Sequence, residues 1–198
     1  MAKAELQELV VADAEALRAW LAKHHDTSPG VWLALHKKGG SVTTVTWQLA
    51  VDEALCVGWI DGQARKRDAE SSFIRLTPRG PRSAWSQRNV ANVARLEAAG
   101  RMLPPGRAAV EAARSDGRWA AAYAAPSEAV VPEDLAAAIA AVPEAQAMFD
   151  VLNKTNRYAL IHRLGSVKKA ETRARKIVQF VEMLARHETP YPQKAKPE

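Results

Sequence analysis

Only one cysteine, Cys56, stands among the 198 residues, so no disulfide can form within the chain and a disulfide-stapled scaffold is excluded. Long apolar runs are missing too. Nothing approaches the roughly 18 apolar residues of a membrane span, and the first residues, "MAKAELQELVVADAE", carry acids from Glu5 onward without the apolar core of about 7–15 residues that a signal peptide needs. Nucleotide and hydrolase signatures are absent as well: there is no G-x-G-x-x-G, no P-loop and no G-x-S-x-G. The histidines His24, His25, His36, His162 and His187 show neither H-E-x-x-H nor Cys/His ligand spacing. These absences lead to the expectation of a soluble, cytoplasmic protein with no membrane association, no metal and no cofactor.

Basic residues are missing from one stretch in particular. Pro126 to Asp150 holds five acids and no Lys or Arg, whereas Lys154 to Lys176 holds eight cations against Glu171 alone. The charge of the C-terminal part is therefore polarised, which leaves self-association open, because the two segments can meet within one chain or between two. Overall the chain carries a net charge of +6 and is 47% hydrophobic, enough apolar material for one compact domain or two small ones. The positive balance favours phosphate-bearing or polyanionic partners.

The apolar periodicity gives the coarse architecture. "ELVVADAEALRAWLAKHH" reads as a short strand, then a helix capped by Asp13, and "GVWLALHKKGG" alternates as a half-buried strand stopped by Gly39-Gly40. Thr46 caps a helix over "WQLAVDEALCVG" that is apolar on two sides, so its only charges, Asp52 and Glu53, are expected to be partly covered and to need cationic partners. Asp61-Gly62 is a turn signal. A hairpin follows, "GQARKRD" to "SSFIRLTPR", with Ile74 and Leu76 on one face and Phe73, Arg75, Thr77 and Arg79 on the other. Ser83 or Ser86 caps a helix from about Gln87 to Ala99, Pro104-Pro105 opens another, and the last runs from about Lys169 to His187. The expected fold is α+β, mostly helical, with a small antiparallel sheet in the N-terminal half and a helical C-terminal region. The expected divisions are residues 1–125, 126–187 and a flexible tail, 188–198.

Two motifs carry the chemistry. "RLTPRGPRSAWS" supplies Arg75, Arg79, Arg82, two serines and the free N–H groups of a helix start, the ingredients of an anion site. The alternative is that these arginines pair with Asp52, Glu53, Asp61 or the acidic segment. "WIDG" supplies Asp61, which serves either as the staple of a bend, paired with an arginine, or as an acid or base with Glu53 and Cys56 nearby. Trp59 and Trp85 flank both motifs and offer walls for a ring or guanidinium. The candidate ligand-binding residues are therefore Glu53, Trp59, Asp61, Arg75, Thr77, Arg79, Arg82, Ser83, Trp85 and Ser86; none is assigned a catalytic role.

"EALCVGWIDGQ", "RLTPRGPRSAWS", "EAAGRMLPPGRAAVEAARSDGRW" and "AETRARKIVQFVEMLARH", in that order, resemble the YdeI/OmpD-associated family, also labelled bacteriocin-protection proteins, over nearly all of Glu5 to His187. That resemblance implies a role in tolerance of cationic antimicrobial peptides and in envelope stress, and it supplies no catalytic residues. The function expected from the residues is non-enzymatic binding of a small anionic ligand or partner. Two alternatives remain: an enzyme using Glu53 or Asp61 as acid and base on a phosphorylated or carboxylated small molecule, and a nucleic-acid or protein interaction module, for which Gln63 to Arg88 offers seven cations against Asp68 and Glu70.

Overall fold

A computed structural model describes residues 5–124, 129–165, 167 and 169–197. Pro126, Glu128 and Lys168, part of the polarised charge pattern, lie outside the described residues. Locally satisfied chain ends define the helices. The Asp13 carboxylate accepts from the Ala16 N–H at the start of α1 (Ala14–His24), Thr46 caps α2 (Trp47–Cys56), and Ser86, not Ser83, caps α3 (Gln87–Ala98). Pro104 opens α4 (Pro104–Ser115) at the first turn, where a missing N–H costs nothing.

The strands β1 (Gln7–Leu9), β2 (Val31–His36), β3 (Trp59–Lys66) and β4 (Ser71–Pro78) form one four-stranded sheet in the order β1-β2-β4-β3. The sheet is mixed rather than antiparallel. β1 runs parallel to β2, because α1 forms the crossover that adjacent parallel strands require. A second correction concerns "WIDG", which is no turn: Trp59, Ile60 and Asp61 pair with Pro78, Thr77 and Leu76, and an irregularity between Asp61 and Ala64 absorbs Gly62 and Gln63. The hairpin bend lies farther on, where the Asp68 carboxylate accepts from the backbone N–H groups of Glu70 (2.9 Å) and Ser71 (2.7 Å).

Two compact units result, residues 1–122 and 123–198. In the first, Leu17, Leu21, Ala50 and Ala54 of α1 and α2 pack on Val31, Leu33, Leu35, Ile74 and Leu76 of the sheet. Across α2, Val51, Leu55 and Cys56 meet Trp85, Val93, Leu96 and Val110, so the two-sided apolar pattern of this helix places it between two cores. In the second unit α5 (Glu133–Ala140), α6 (Pro143–Asp150), α7 (Lys154–Gly165) and α8 (Ala170–Ala185) share a core built on Leu135, Met148, Leu160, Phe180 and Leu184. The acidic and basic segments meet there within the chain, Asp134 pairing with Arg173 at 2.6 Å and Arg157 donating to the Phe149 carbonyl oxygen (3.1 Å). Residues read as a tail return to α7: the fully buried Asn156 amide donates to the Tyr191 carbonyl oxygen (2.9 Å), and its oxygen accepts from the Tyr191 N–H (2.8 Å). Among the described residues no helix is long and apolar enough to cross a membrane.

Candidate functional site

The two acids of α2 are buried, Asp52 at 4% and Glu53 at 2% exposure, and each has found guanidinium partners as its apolar surroundings demand. Arg18 reaches Glu53 with two parallel hydrogen bonds, Nε to Oε2 at 3.0 Å and Nη2 to Oε1 at 2.8 Å, while Arg101 adds Nη2 to Oε1 at 2.6 Å. Asp52 accepts from Arg95 (2.7 Å) and from Gln48 (2.8 Å). Both oxygens of Glu53 are thus engaged in tying α1 and the segment before α4 to α2. The hydrogen bond to Glu53 raises the Arg18 pKa further above its ordinary value. The cleft between Arg18, Glu53, Cys56 and Arg101 has a volume of about 30 Å³, room for a water or two. A ligand site needs about ten times more.

Cys56 borders the same cleft. Burial, reinforced by the Glu53 charge, pushes its thiol from 9.0 up to about 11. The native thiol is therefore expected to resist a disulfide reagent at pH 8 and to react fully once urea unfolds the chain; rapid labelling of the folded protein would contradict this. Linkage gives the sign of the accompanying stability change. The folded state keeps the proton while the unfolded chain releases it, so the contribution is intact below about pH 9 and is lost as pH rises towards 11.

Several polar groups of the "TPRGPRSAWS" loop bond within or next to the loop. Arg79 donates to the Ala84 carbonyl oxygen (3.1 Å) and lays its guanidinium 3.5 Å from the centroid of the Trp85 ring. Ser83 Oγ accepts from the Gly80 N–H (3.0 Å), the Ser83 carbonyl oxygen accepts from Arg118 (3.0 Å), and Ser86 is spent on the α3 cap. Trp85 packs edge-on with Trp119 in the second core, whereas Trp59 packs with Trp20 in the first and donates to the His25 carbonyl oxygen (3.1 Å). The two rings belong to different clusters. Arg82 is exposed at the loop tip.

Arg75 and Thr77 stand elsewhere, on the sheet face turned away from α1 and α2. Strand parity settles this: Asp61 pairs with Leu76 and shares its helix-covered face, so Arg75 points the opposite way. The expected Asp61–arginine pair is therefore not formed, and Asp61 makes no ion pair with any described residue. Arg75 lies over Gly62, where a methyl group would sit 3.2 Å from its Nε. That Nε is closed off from water and has no hydrogen-bond partner. Around it on this outer face, Arg65 places its guanidinium 4.3 Å from the Trp32 centroid and 5.0 Å from that of Phe73, and Arg67 lies 5.6 Å from Phe73. Glu8 holds Arg65 (2.6 Å) and Asp68 holds Arg67 (2.5 Å). Trp32, Arg65 and Phe73 were missed in the sequence as site residues, although strict alternation in β2 had set Trp32 apart from Val31, Leu33 and Leu35. Among the described residues no three His, Cys, Asp or Glu side chains converge to hold a metal ion.

Comparison with known families divides the chain at nearly the same place as its contacts do. Residues 9–109, just over half of the chain, match a domain of unknown function, DUF8412. Residues 128–187 match the family described as bacteriocin-protection, YdeI or OmpD-associated. The "EALCVGWIDGQ" and "RLTPRGPRSAWS" blocks thus fall in the first match and "AETRARKIVQFVEMLARH" in the second. No curated relative and no solved structure matches the chain.

Proposed function

Since the chain belongs to the DUF8412 family and carries a YdeI/OmpD-associated segment after it, neither of which names a chemical activity, we propose a function from geometry: non-enzymatic binding of an anion on the outer face of the sheet, centred on Arg75. One observation carries this reading. A half-buried guanidinium costs desolvation energy unless a counter-charge or acceptor compensates it, and no ion pair or hydrogen bond with a described residue compensates Arg75, whose Nε is sealed beneath the β3 irregularity. An anionic group on the ligand would supply what the fold withholds. Of the residues singled out in the sequence, Arg75 and Thr77 remain for this role, while Glu53, Trp59, Arg79, Ser83, Trp85 and Ser86 hold structure. A part in tolerance of antimicrobial peptides, which the name of the second segment suggests, would then run through an anionic partner, because like charge repels cationic peptides from this face.

The test is Arg75→Gln in a thermal-shift titration with inorganic pyrophosphate and with citrate, beside Arg82→Gln as a control. Without ligand, Arg75→Gln is expected to match or exceed the native melting temperature, since a functional charge without a partner is a stability cost. With ligand, its apparent affinity is expected to fall about tenfold or more, the worth of a charge-assisted hydrogen bond. Arg82→Gln is expected to bind as the native protein does. An anion shift that survives Arg75→Gln and vanishes with Arg82→Gln would overturn the proposal.

A further inference from the structure

The outer face offers more than one anion-binding group. Trp32 of β2 and Phe73 of β4 sit two residues apart in register on the same face, Trp32 opposite Arg75 and Phe73 opposite Ala34 and Arg65. Phe73 is buried, only 3% exposed, beneath the guanidinium groups of Arg65 and Arg67, which lie over its ring. Arg65 is itself 44% exposed and also covers Trp32. Ile60 of β3 extends the same face opposite Thr77. The result is a layer of guanidinium planes over rings spread over three strands, its most exposed group being the Arg65 guanidinium that covers Trp32.

This shape and chemistry select the occupant. A small anion would be satisfied by Arg75 alone and would leave the ring and guanidinium array without purpose. A duplex is read by an element that enters a groove, which a flat sheet face does not provide. Single strands, by contrast, are held by rings and guanidinium planes on which bases stack, interleaved with cations that follow the phosphates. Charge agrees: Arg65, Arg67 and Arg75 stand on this face against Glu8 and Asp68. Resting on the anion-binding reading above, we infer that the outer face of the β1–β4 sheet binds single-stranded nucleic acid, the Arg65 plane, backed by Trp32, receiving a base while Arg75 receives a phosphate. The Arg65–Glu8 pair is no obstacle. Both partners are exposed, 44% and 57%, and such pairs are worth little, so Arg65 exchanges Glu8 for a phosphate at small cost.

The experiment uses the full chain and fluorescence anisotropy with labelled 12-mers of dT and of U, a 12-base-pair duplex, and polyphosphate as competitor, at low and high salt. Both single strands are expected to bind more tightly than the duplex, with affinity falling as salt rises. Trp32→Leu is expected to weaken single-strand binding at least tenfold through lost stacking; Arg65→Gln, at a side chain 44% exposed, should weaken it severalfold. Three results would overturn the inference: equal binding of strands, duplex and polyphosphate without effect of Trp32→Leu; binding lost in Arg175→Gln/Lys176→Gln instead; or no single-strand binding at all. If the last occurs while pyrophosphate still binds through Arg75, the anion-binding reading stands and this one fails. If pyrophosphate does not bind either, both fail.

Discussion

Replacing Gly106 by alanine is expected to destabilise the protein by about 2–3 kcal/mol or more, the cost of forcing a methyl group into a filled space. Helix propensity alone predicts the opposite sign, since alanine inside a helix is favoured over glycine by about 1 kcal/mol. Packing decides between them. Gly106 is buried in the first turn of α4 where that helix meets the end of α2, and a Cβ there would run into the Cys56 carbonyl oxygen and stand 2.8 Å from the Leu55 carbonyl oxygen. Those atoms are backbone, and Cys56 O already accepts from the Leu103 N–H (2.9 Å), so nothing flexible can yield. For a chain of this size the loss corresponds to a drop in Tm of roughly 2–4 °C per kcal/mol. Urea unfolding of Gly106→Ala measures it. A variant as stable as the native protein would mean that α4 does not approach α2 this closely.

A second large effect is expected where Glu53 loses its cations. In Arg18→Met/Arg101→Met the carboxylate, 1% exposed in its side chain, is left without a counter-charge, and breaking a buried pair by removing one side costs about 3–5 kcal/mol. Arg18→Met alone should cost far less, because that guanidinium is 53% exposed and solvent screens what it contributes. Adding Glu53→Leu to the double variant removes the stranded charge and should restore most of the stability, since an apolar replacement of a whole buried pair is often neutral. Chemical denaturation of the three variants reads this directly. Failure of Glu53→Leu to rescue would show that the carboxylate does something other than hold the two arginines.

The contrast between these positions and the outer sheet face shows what the sequence could disclose. Caps were legible because they are local: Asp13, Thr46 and the Pro104-Pro105 pair announce their helices within four residues. The need of Asp52 and Glu53 for cations followed from a helix apolar on both sides. Which cations answer was not legible, for Arg18, Arg95 and Arg101 lie 35 to 48 residues away, and only packing brings them in. Asp61-Gly62 misled because turn chemistry was overridden by pairing with β4, whose register absorbs the glycine in an irregularity. The parallel β1–β2 pair was signalled by the order strand, helix, strand. Alternation placed Arg75 and Phe73 on one face of β4, yet the arrival of Arg65 from β3 and Trp32 from β2 depended on strand order, which no local pattern states. In the arginine-rich loop, Arg79, Ser83 and Ser86 bond to backbone within the loop or at the α3 cap, pairings that the sequence did not display.

The proposed ligand site is the outer sheet face around Arg75. The most direct measurement is a ¹H–¹⁵N NMR titration of the full chain with inorganic pyrophosphate, following backbone amides and the arginine Nε–H groups. Saturable shifts are expected at Trp32, Gly62 and Arg75, with the Arg75 Nε–H moving most as it gains an acceptor. Shifts confined to Arg82 and the start of α3, or to Arg175 and Lys176 of α8, with Arg75 unmoved, would contradict it.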